Sequence, residues 1–171
     1  MSDISTVWNP AQGYGDFSIA GTQLQSGNDL QTAIFISLFS DRMANPDDVI
    51  PDGAGDPRGW WGDLGQDFPI GSRLWLLDRS KLTQSVANQA RDYIQEALQW
   101  LIDDEVVASF DITTQIINSI TLGAQIVAHK QDGTTVAIKF SWAWKNMNQP
   151  APAPAAPQLD TNFILDVSIL P

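Results

Sequence analysis

A long amphipathic stretch in the middle of the chain constrains the fold more than any other sequence feature. Between Thr83 and Asp103, apolar residues recur at intervals of three and four, which places them on one face of an α-helix. That face consists of Val86, Ala87, Ala90, Tyr93, Ile94, Ala97, Leu98, Leu101 and Ile102. Thr83 belongs to the residue types that cap helix N-termini, while Arg91 and Glu96 fall on the wet side. Burying each large apolar side chain contributes about 1.5–3 kcal/mol at most, so we expect this helix to anchor the core.

Three segments with strand chemistry follow the predicted helix. They span Val106–Ile116, Ser119–Lys130 and Thr134–Trp144. The last two flank an Asp-Gly turn at Asp132 and Gly133, which is a strong hairpin signal between alternating apolar residues. In the final segment, alternation places on one face Val136, Ile138, Phe140, Trp142 and Trp144. This pattern is typical of an antiparallel sheet with one covered face. Because the helix stripe can cover that face, the sequence predicts an α+β fold.

The N-terminal part gives weaker signals. Asp16–Ile19 is the one short alternating run, and we predict an edge strand there. Asn28 or Asp29 can cap a helix in which apolar residues recur at Leu30, Ile34 and Leu38. However, Ile34–Ile36 is also typical of a buried strand, and periodicity alone leaves both interpretations open.

A stretch rich in Asp, Pro and Gly, Asp41–Phe68, predicts a long loop, and loops of this length are usually functional or mobile. Trp60 and Trp61 are adjacent in it. Neighbouring side chains of a strand point to opposite faces, so one ring is predicted to face outward as a partner contact, a role in which tryptophan is enriched. The loop is followed by the basic residues Arg73, Arg79 and Lys81. We interpret this cluster as a solvated turn, with contact to an acidic protein neighbour as the alternative.

The composition changes sharply after residue 148. Residues 149–159 form a Pro/Ala-rich linker, whose core Gln149–Pro157 predicts a semi-rigid polyproline-type spacer. Residues 160–171 return to strand chemistry, with one face formed by Phe163, Leu165, Val167 and Ile169. A single tethered strand is not stable alone. We therefore predict that it pairs with a neighbouring chain, with wrapping across its own domain (residues 1–148) as the alternative.

Charge and residue types argue against several function classes. The net charge is −11 and no basic face is visible, which disfavours nucleic-acid binding. No apolar run is long enough to span a bilayer, and we identify no signal peptide. There are no cysteines, and His129 is the only histidine. Spacing therefore selects no catalytic, metal or cofactor site. The glutamates are Glu96 and Glu105, and nothing picks out a carboxylate pair for glycoside hydrolysis.

Three segments together resemble one known family. They are Arg58–Asp63 (RGWWGD), Gly71–Leu77 (GSRLWLL) and the helix end at Glu96–Leu101, and Leu30–Arg42 fits the same pattern. In these motifs, and over about residues 16–145, the chain is similar to the gene-product-46 family of Mu-like phages. That family resembles in turn the baseplate wedge protein of T-even phages, the sheath initiator. Asp56–Arg58 is the nearest counterpart of the wider wedge family's Glu-Pro-Arg motif, so a role tied to that glutamate is not carried over.

The resemblance implies a fold of two helices packed on a small antiparallel sheet, which favours helix for residues 29–40. It also implies a structural, non-enzymatic protein of a contractile phage tail, present in several symmetric copies. Its partners would be other baseplate wedge proteins, the first ring of tail sheath, and the tail tube or hub. Such a protein assembles in the host cytoplasm and resides in the virion baseplate. The alternative that the resemblance leaves open is a lysozyme-like, peptidoglycan-degrading baseplate enzyme.

Overall fold

The structure, a computed structural model, describes residues 4–9, 14–63, 68–119 and 121–143. The predicted linker at 149–159 and the strand at 160–171, with Phe163, Leu165, Val167 and Ile169, lie outside the described residues. Both stay predictions.

Two small antiparallel hairpins open the chain. Strands β1 (Thr6–Asn9) and β2 (Tyr14–Phe17) form the first, and the two-residue strands β3 (Ile19–Ala20) and β4 (Gln23–Leu24) form the second. The predicted edge strand at Asp16–Ile19 is therefore divided between two hairpins. The β1 hairpin is attached to the next helix, because Thr32 Oγ1 accepts a hydrogen bond from the N–H of Thr6 at 3.1 Å.

Two α-helices follow, α1 (Asp29–Phe39) and α2 (Gln84–Asp103). The α2 prediction is confirmed, including its cap: the Thr83 side chain accepts a hydrogen bond from the N–H of Val86. Helix α1 resolves the ambiguity of the Ile34–Ile36 run in favour of helix. The cap position falls on Asn28, and there the capping prediction is wrong, because Asn28 adopts a left-handed conformation (φ 57°) and its side chain makes no cap hydrogen bond, while Asp29 is the first residue of the helix. Side-chain capping requires an extended backbone at this position.

Within the described residues, the main sheet contains three antiparallel strands in sequence order: β5 (Ser109–Asn118), β6 (Thr121–His129) and β7 (Thr135–Ala143). The hairpin prediction is confirmed, with Gly133 at φ 81° in the turn between β6 and β7. Strand β5 begins later than predicted. The N–H groups of Val106 and Val107 instead donate to the carbonyl of Leu101. This carbonyl lies in the last turn of α2, where carbonyl groups have no hydrogen-bond partner within the helix.

The two helices cover one face of this sheet, as the alternation predicts. Ile138 and Phe140 of β7 are buried against α1 and α2, whereas Ala137 and Lys139 are exposed on the opposite face. The helix stripe is confirmed: its buried members are Ala87, Ala90, Tyr93, Ile94, Ala97, Leu98 and Leu101. Trp144 lies outside the described residues, and of Trp142 only the backbone is described, so their predicted inward orientation stays a prediction.

A second apolar cluster lies at the end of the sheet where α2 begins. It contains the short 3₁₀ turn Leu74–Leu77, the first half of α2, and Leu122 at the start of β6. Leu122 pairs in register with residue 142, so β7 ends at this same side of the molecule. The segment between α1 and α2 thus packs over the end of the sheet from which the C-terminal residues depart.

Candidate functional site

The long segment between the two helices has little regular secondary structure, but it is anchored to the domain at both ends. A parallel bridge joins Asp41 to Ser72, with the N–H of Arg42 bonded to the carbonyl of Ser72 at 3.0 Å. The Ser72 hydroxyl also donates to the carbonyl of Leu38 at 2.6 Å. Gly71 allows this approach: it has φ 107°, and a Cβ there would lie 2.6 Å from the carbonyl oxygen of Ser40.

Arginine–aromatic contacts hold the middle of this segment. The Arg58 guanidinium lies 4.4 Å from the centre of the buried Trp75 ring and pairs with Asp41 at 2.8 Å. Trp75 Nε1 in turn donates to the carbonyl of Arg42 at 2.8 Å. Arg58 has a positive φ of 53°, which is unfavourable for a residue with a side chain and persists only where surrounding contacts hold it. These contacts hold residues 41–63 of the predicted loop as a fixed platform over the second apolar cluster.

Below the platform, Arg73 is the centre of an ion cluster. Its guanidinium donates to Asp48 at 2.8 Å and to Glu96 of α2 at 2.9 and 3.0 Å. It also lies 4.7 Å from the centre of the Tyr93 ring, and Arg42 approaches Glu96 at 3.6 Å. The side chains of Arg73 and Asp48 are each only 15% exposed.

The electrostatics of this cluster follow from partial burial and pairing. Burial by itself would raise the pKa of Asp48, but the hydrogen bonds from Arg73 and from the N–H of Asn45, with the Arg73 charge, hold it below its usual value. Burial would also lower the pKa of Arg73. The hydrogen bonds to Asp48 and Glu96 outweigh it, and the pKa of Arg73 is raised. Both groups are therefore held as ions.

This arrangement corrects two sequence predictions. The solvated turn is right for Arg79 and Lys81, which are exposed, but wrong for Arg73. Glu96, expected on the wet side of the helix, instead takes part in the cluster. Both corrections have the same cause. The platform packs over the flank of α2 that carries Glu96, and it thereby covers Glu96 and Arg73. A role for Arg73 in partner binding stays a prediction, although its guanidinium already has partners within this chain.

The adjacent tryptophans lie on the outer surface of the platform. Trp61 is 80% exposed and Trp60 is 39% exposed, with ring centres 5.7 Å apart. The prediction that one ring faces outward is confirmed, although the pair lies at a short 3₁₀ turn, Trp61–Asp63, and not in a strand. Gly62 makes room for this geometry, because a Cβ at that position would lie within 2.6 Å of the Trp60 ring.

The two rings border an open groove of about 640 Å³. Its apolar lining comes from Met43, Ala44, Pro46, Trp60, Trp61 and Pro69. Met43 is 58% exposed. Exposed apolar surface of this kind, bordered by charged side chains such as those of Arg58 and Asp63, is typical of protein interaction sites.

Other candidate groups do not assemble into a chemical site. His129 pairs with Asp111 at 2.8 Å on the exposed face of the sheet. The acidic trio Asp103–Glu105 is exposed at the end of α2. Within the described ranges, no group of three or more His, Asp or Glu residues is placed to hold a metal ion. Neither α1 nor α2 has the length and apolar run needed to cross a membrane.

Sequence reasoning missed the ion cluster. Asp48, Arg73 and Glu96 have no common spacing, and two of them lie in an irregular segment. The available signal was the adjacency of Arg73 to the apolar Leu74–Leu77, which predicts a partly buried arginine in need of partners.

Comparison with known proteins identifies the family. A family model described as phage protein GP46 matches residues 30–135, which include the platform with Trp60 and Trp61. The chain belongs to the GP46 family of phage proteins. It is 38% identical over 143 residues to "Baseplate protein gp46" of Escherichia phage Mu, covering 84% of this chain and 97% of that protein. It is also 35% identical over 136 residues to "Mu-like prophage FluMu protein gp46" of Haemophilus influenzae, covering 79% and 92%.

Membership in the GP46 family confirms the resemblance inferred from the Arg58–Asp63 and Gly71–Leu77 motifs. The model match ends at residue 135, before the Pro/Ala linker begins. The further relation to the wedge protein of T-even phages stays a prediction.

Proposed function

We propose that this chain is a structural, non-enzymatic component of a contractile phage tail baseplate and resides in the virion. The observation that carries the proposal is its 38% identity across 97% of a protein named as a baseplate protein. Alignment over nearly the whole relative favours a shared role of the entire domain. Glu96, one of the two glutamates, is held by two arginines, which supports a structural role over an acid–base one.

In this proposal the Trp60–Trp61 groove is a contact surface for neighbouring baseplate subunits. A protein interface gains most from large aromatic side chains that are desolvated on binding. Trp61 offers such a side chain, at 80% exposure. The arginine contacts and the ion cluster hold the platform in place before binding, so little conformational entropy is lost when a partner docks.

A finer part of the proposal is that the chain initiates sheath assembly by strand pairing. In the described part of the chain, no strand pairs with the outer edge of β7. An unpaired edge can accept a strand from a defined partner, with main-chain hydrogen bonds for strength and alternate side chains for register. The C-terminal strand, with Phe163, Leu165, Val167 and Ile169, is the segment that we propose is given to a neighbour. The partners proposed are wedge proteins, the first sheath ring, and the tube or hub.

The test uses Trp61→Ala in a phage that depends on this chain for its tail. Because the ring is 80% exposed, we expect the free energy of unfolding of the purified protein to change by less than about 0.5 kcal/mol. We expect particles with complete contractile tails to be lost, as scored by electron microscopy and plaque count. Ile19→Ala, at a residue 75% exposed on the β3–β4 hairpin, is the matched control and should give normal tails.

Two results would count against this role of the groove. Normal tails with Trp61→Ala would show that the ring is not an essential contact. A loss of several kcal/mol of fold stability on Trp60→Ala and Trp61→Ala, as for aromatic core truncations, would make the pair structural.

A further inference from the structure

We propose that the Pro/Ala segment Gln149–Pro157 docks in the tryptophan groove of its own chain. This inference concerns what covers the groove in the free protein. It rests on the proposed function only in taking the groove as an interaction surface. The described residues end at 143, and 28 residues follow in the sequence, so the segment is available as an occupant.

The chemistry of the groove fits a proline-rich occupant. Grooves lined by aromatic rings bind polyproline-type segments, which lose little entropy because their conformation is preformed. Here two tryptophans, Met43 and two prolines provide such a lining. The segment carries no charge, and Pro154 and Pro157 are three residues apart. The three-residue period of the polyproline helix therefore puts these two prolines on one face.

The position of the groove also fits. Strand β7 ends at Ala143, opposite Thr121 in the register, and the next residue of β6, Leu122, belongs to the second apolar cluster. Trp75 of that cluster bonds to Arg42 and lies under Arg58, and both arginines border the groove. The C-terminal residues thus depart from the same end of the molecule as the groove. Six residues separate residue 143 from Pro150, a reach of about 20 Å in extended form.

Docking of the spacer in the groove would have two consequences. A docked spacer would shield part of the Trp61 surface before assembly and would fix where the residues 160–171 leave the domain. Tethering makes this binding intramolecular, so even a weak contact is populated at an effective concentration in the millimolar range.

Cross-linking in the full-length protein tests the proposal. The chain has no cysteines, so Met43→Cys with Ala155→Cys introduces the only two thiols. The control pair is Ile117→Cys with Ala155→Cys. Ile117 is 57% exposed and precedes Asn118, which pairs with Thr121 and so lies beside the end of β7. An undirected tail would therefore reach position 117 at least as easily as position 43.

With a short bis-maleimide at low protein concentration, we expect an intramolecular product that forms roughly tenfold faster for the position-43 pair than for the position-117 pair. Adding Trp61→Ala should slow it by a similar factor, the size expected when an anchoring side chain is truncated. Equal rates for the two pairs, no effect of Trp61→Ala, or covalent dimers alone would overturn the proposal.

The outcome is separable from the fate of the proposed function. If the position-43 preference holds while Trp61→Ala phage build normal tails, the docking stands and the assembly role of the groove fails. If the preference is absent while Trp61→Ala still blocks tails, the docking proposal fails and the assembly role stands.

Discussion

Replacing Arg73 by leucine should show how strongly the platform depends on its ion cluster. The substitution removes hydrogen bonds of 2.8 Å to Asp48 and of 2.9 and 3.0 Å to Glu96, as well as the contact with the Tyr93 ring. Asp48, 15% exposed, loses its ion-pair partner, whereas Glu96 is 30% exposed and keeps Arg42 at 3.6 Å.

The magnitude follows from this partial burial. Breaking a fully buried ion pair by removing one partner costs about 3–5 kcal/mol. Because the two carboxylates keep some solvent contact and Glu96 keeps one arginine, we expect about 2–3 kcal/mol of lost unfolding free energy. For a chain of this length that corresponds to a fall in Tm of about 4–12 °C. Arg91→Leu is the control, since Arg91 is 49% exposed and, among the described residues, forms an ion pair only with its neighbour Asp92. It should cost less than about 0.5 kcal/mol.

Urea titrations followed by circular dichroism measure the unfolding free energy of the parent and of both variants, and repeating them at several pH values measures how that free energy depends on pH. The pKa of Asp48 is lowered in the folded state, so its stabilising contribution is present above the unfolded value of about 4. That contribution is lost as the pH falls through the lowered folded value. Arg73→Leu removes the main cause of the shift, so the variant should lose less stability than the parent between about pH 5 and pH 3. A cost for Arg73→Leu no greater than for Arg91→Leu, with parallel pH profiles, would refute this account.

Three further predictions follow from the fold and the proposed role. Gly71→Ala should lower the unfolding free energy by about 2 kcal/mol or more, since φ is 107° and a Cβ would lie 2.6 Å from the Ser40 carbonyl. Gly55→Ala, with φ 73° and open space around it, should lower the unfolding free energy by about 1 kcal/mol. If urea titrations give the same cost for Gly71→Ala and Gly55→Ala, the packing argument for Gly71 is wrong. Purified protein should not lyse peptidoglycan in a zymogram, and turnover abolished by glutamate-to-glutamine changes would support the enzyme alternative. Truncation after Pro157, which keeps the spacer and removes the terminal strand, should leave the melting temperature unchanged but prevent tail assembly, whereas a truncated protein that melts lower would assign the terminal strand to its own domain.

Local periodicity was enough to predict the elements that form most of the core. Apolar residues recur every 3.6 residues in α2 and every 2 residues in the β6–β7 hairpin, and each period is compatible with one type of secondary structure. The predicted and observed bounds of both elements agree within a few residues. The Gly-Trp-Trp-Gly-Asp and Gly-Ser-Arg-Leu-Trp motifs together also identified the family. That one of the two adjacent tryptophans faces outward followed from their adjacency, whereas the structure showed that the more exposed ring is Trp61. These features depend on neighbours in the sequence, which is why the sequence reveals them.

Tertiary structure decided the features that depend on distant residues. Helix α1 shares its apolar run with strand chemistry, and packing against α2 and β7 selected the helix. The described part of the Asp41–Phe68 segment, predicted as a long loop, became a platform because its Asp48 meets Arg73, 25 residues away in the sequence, and Arg73 in turn meets Glu96 of α2. Ion pairs between irregular and helical segments have no sequence period. By itself, therefore, the sequence determined the sheet, the main helix and the family, and the fold alone determined which charges meet and how the tryptophans are presented.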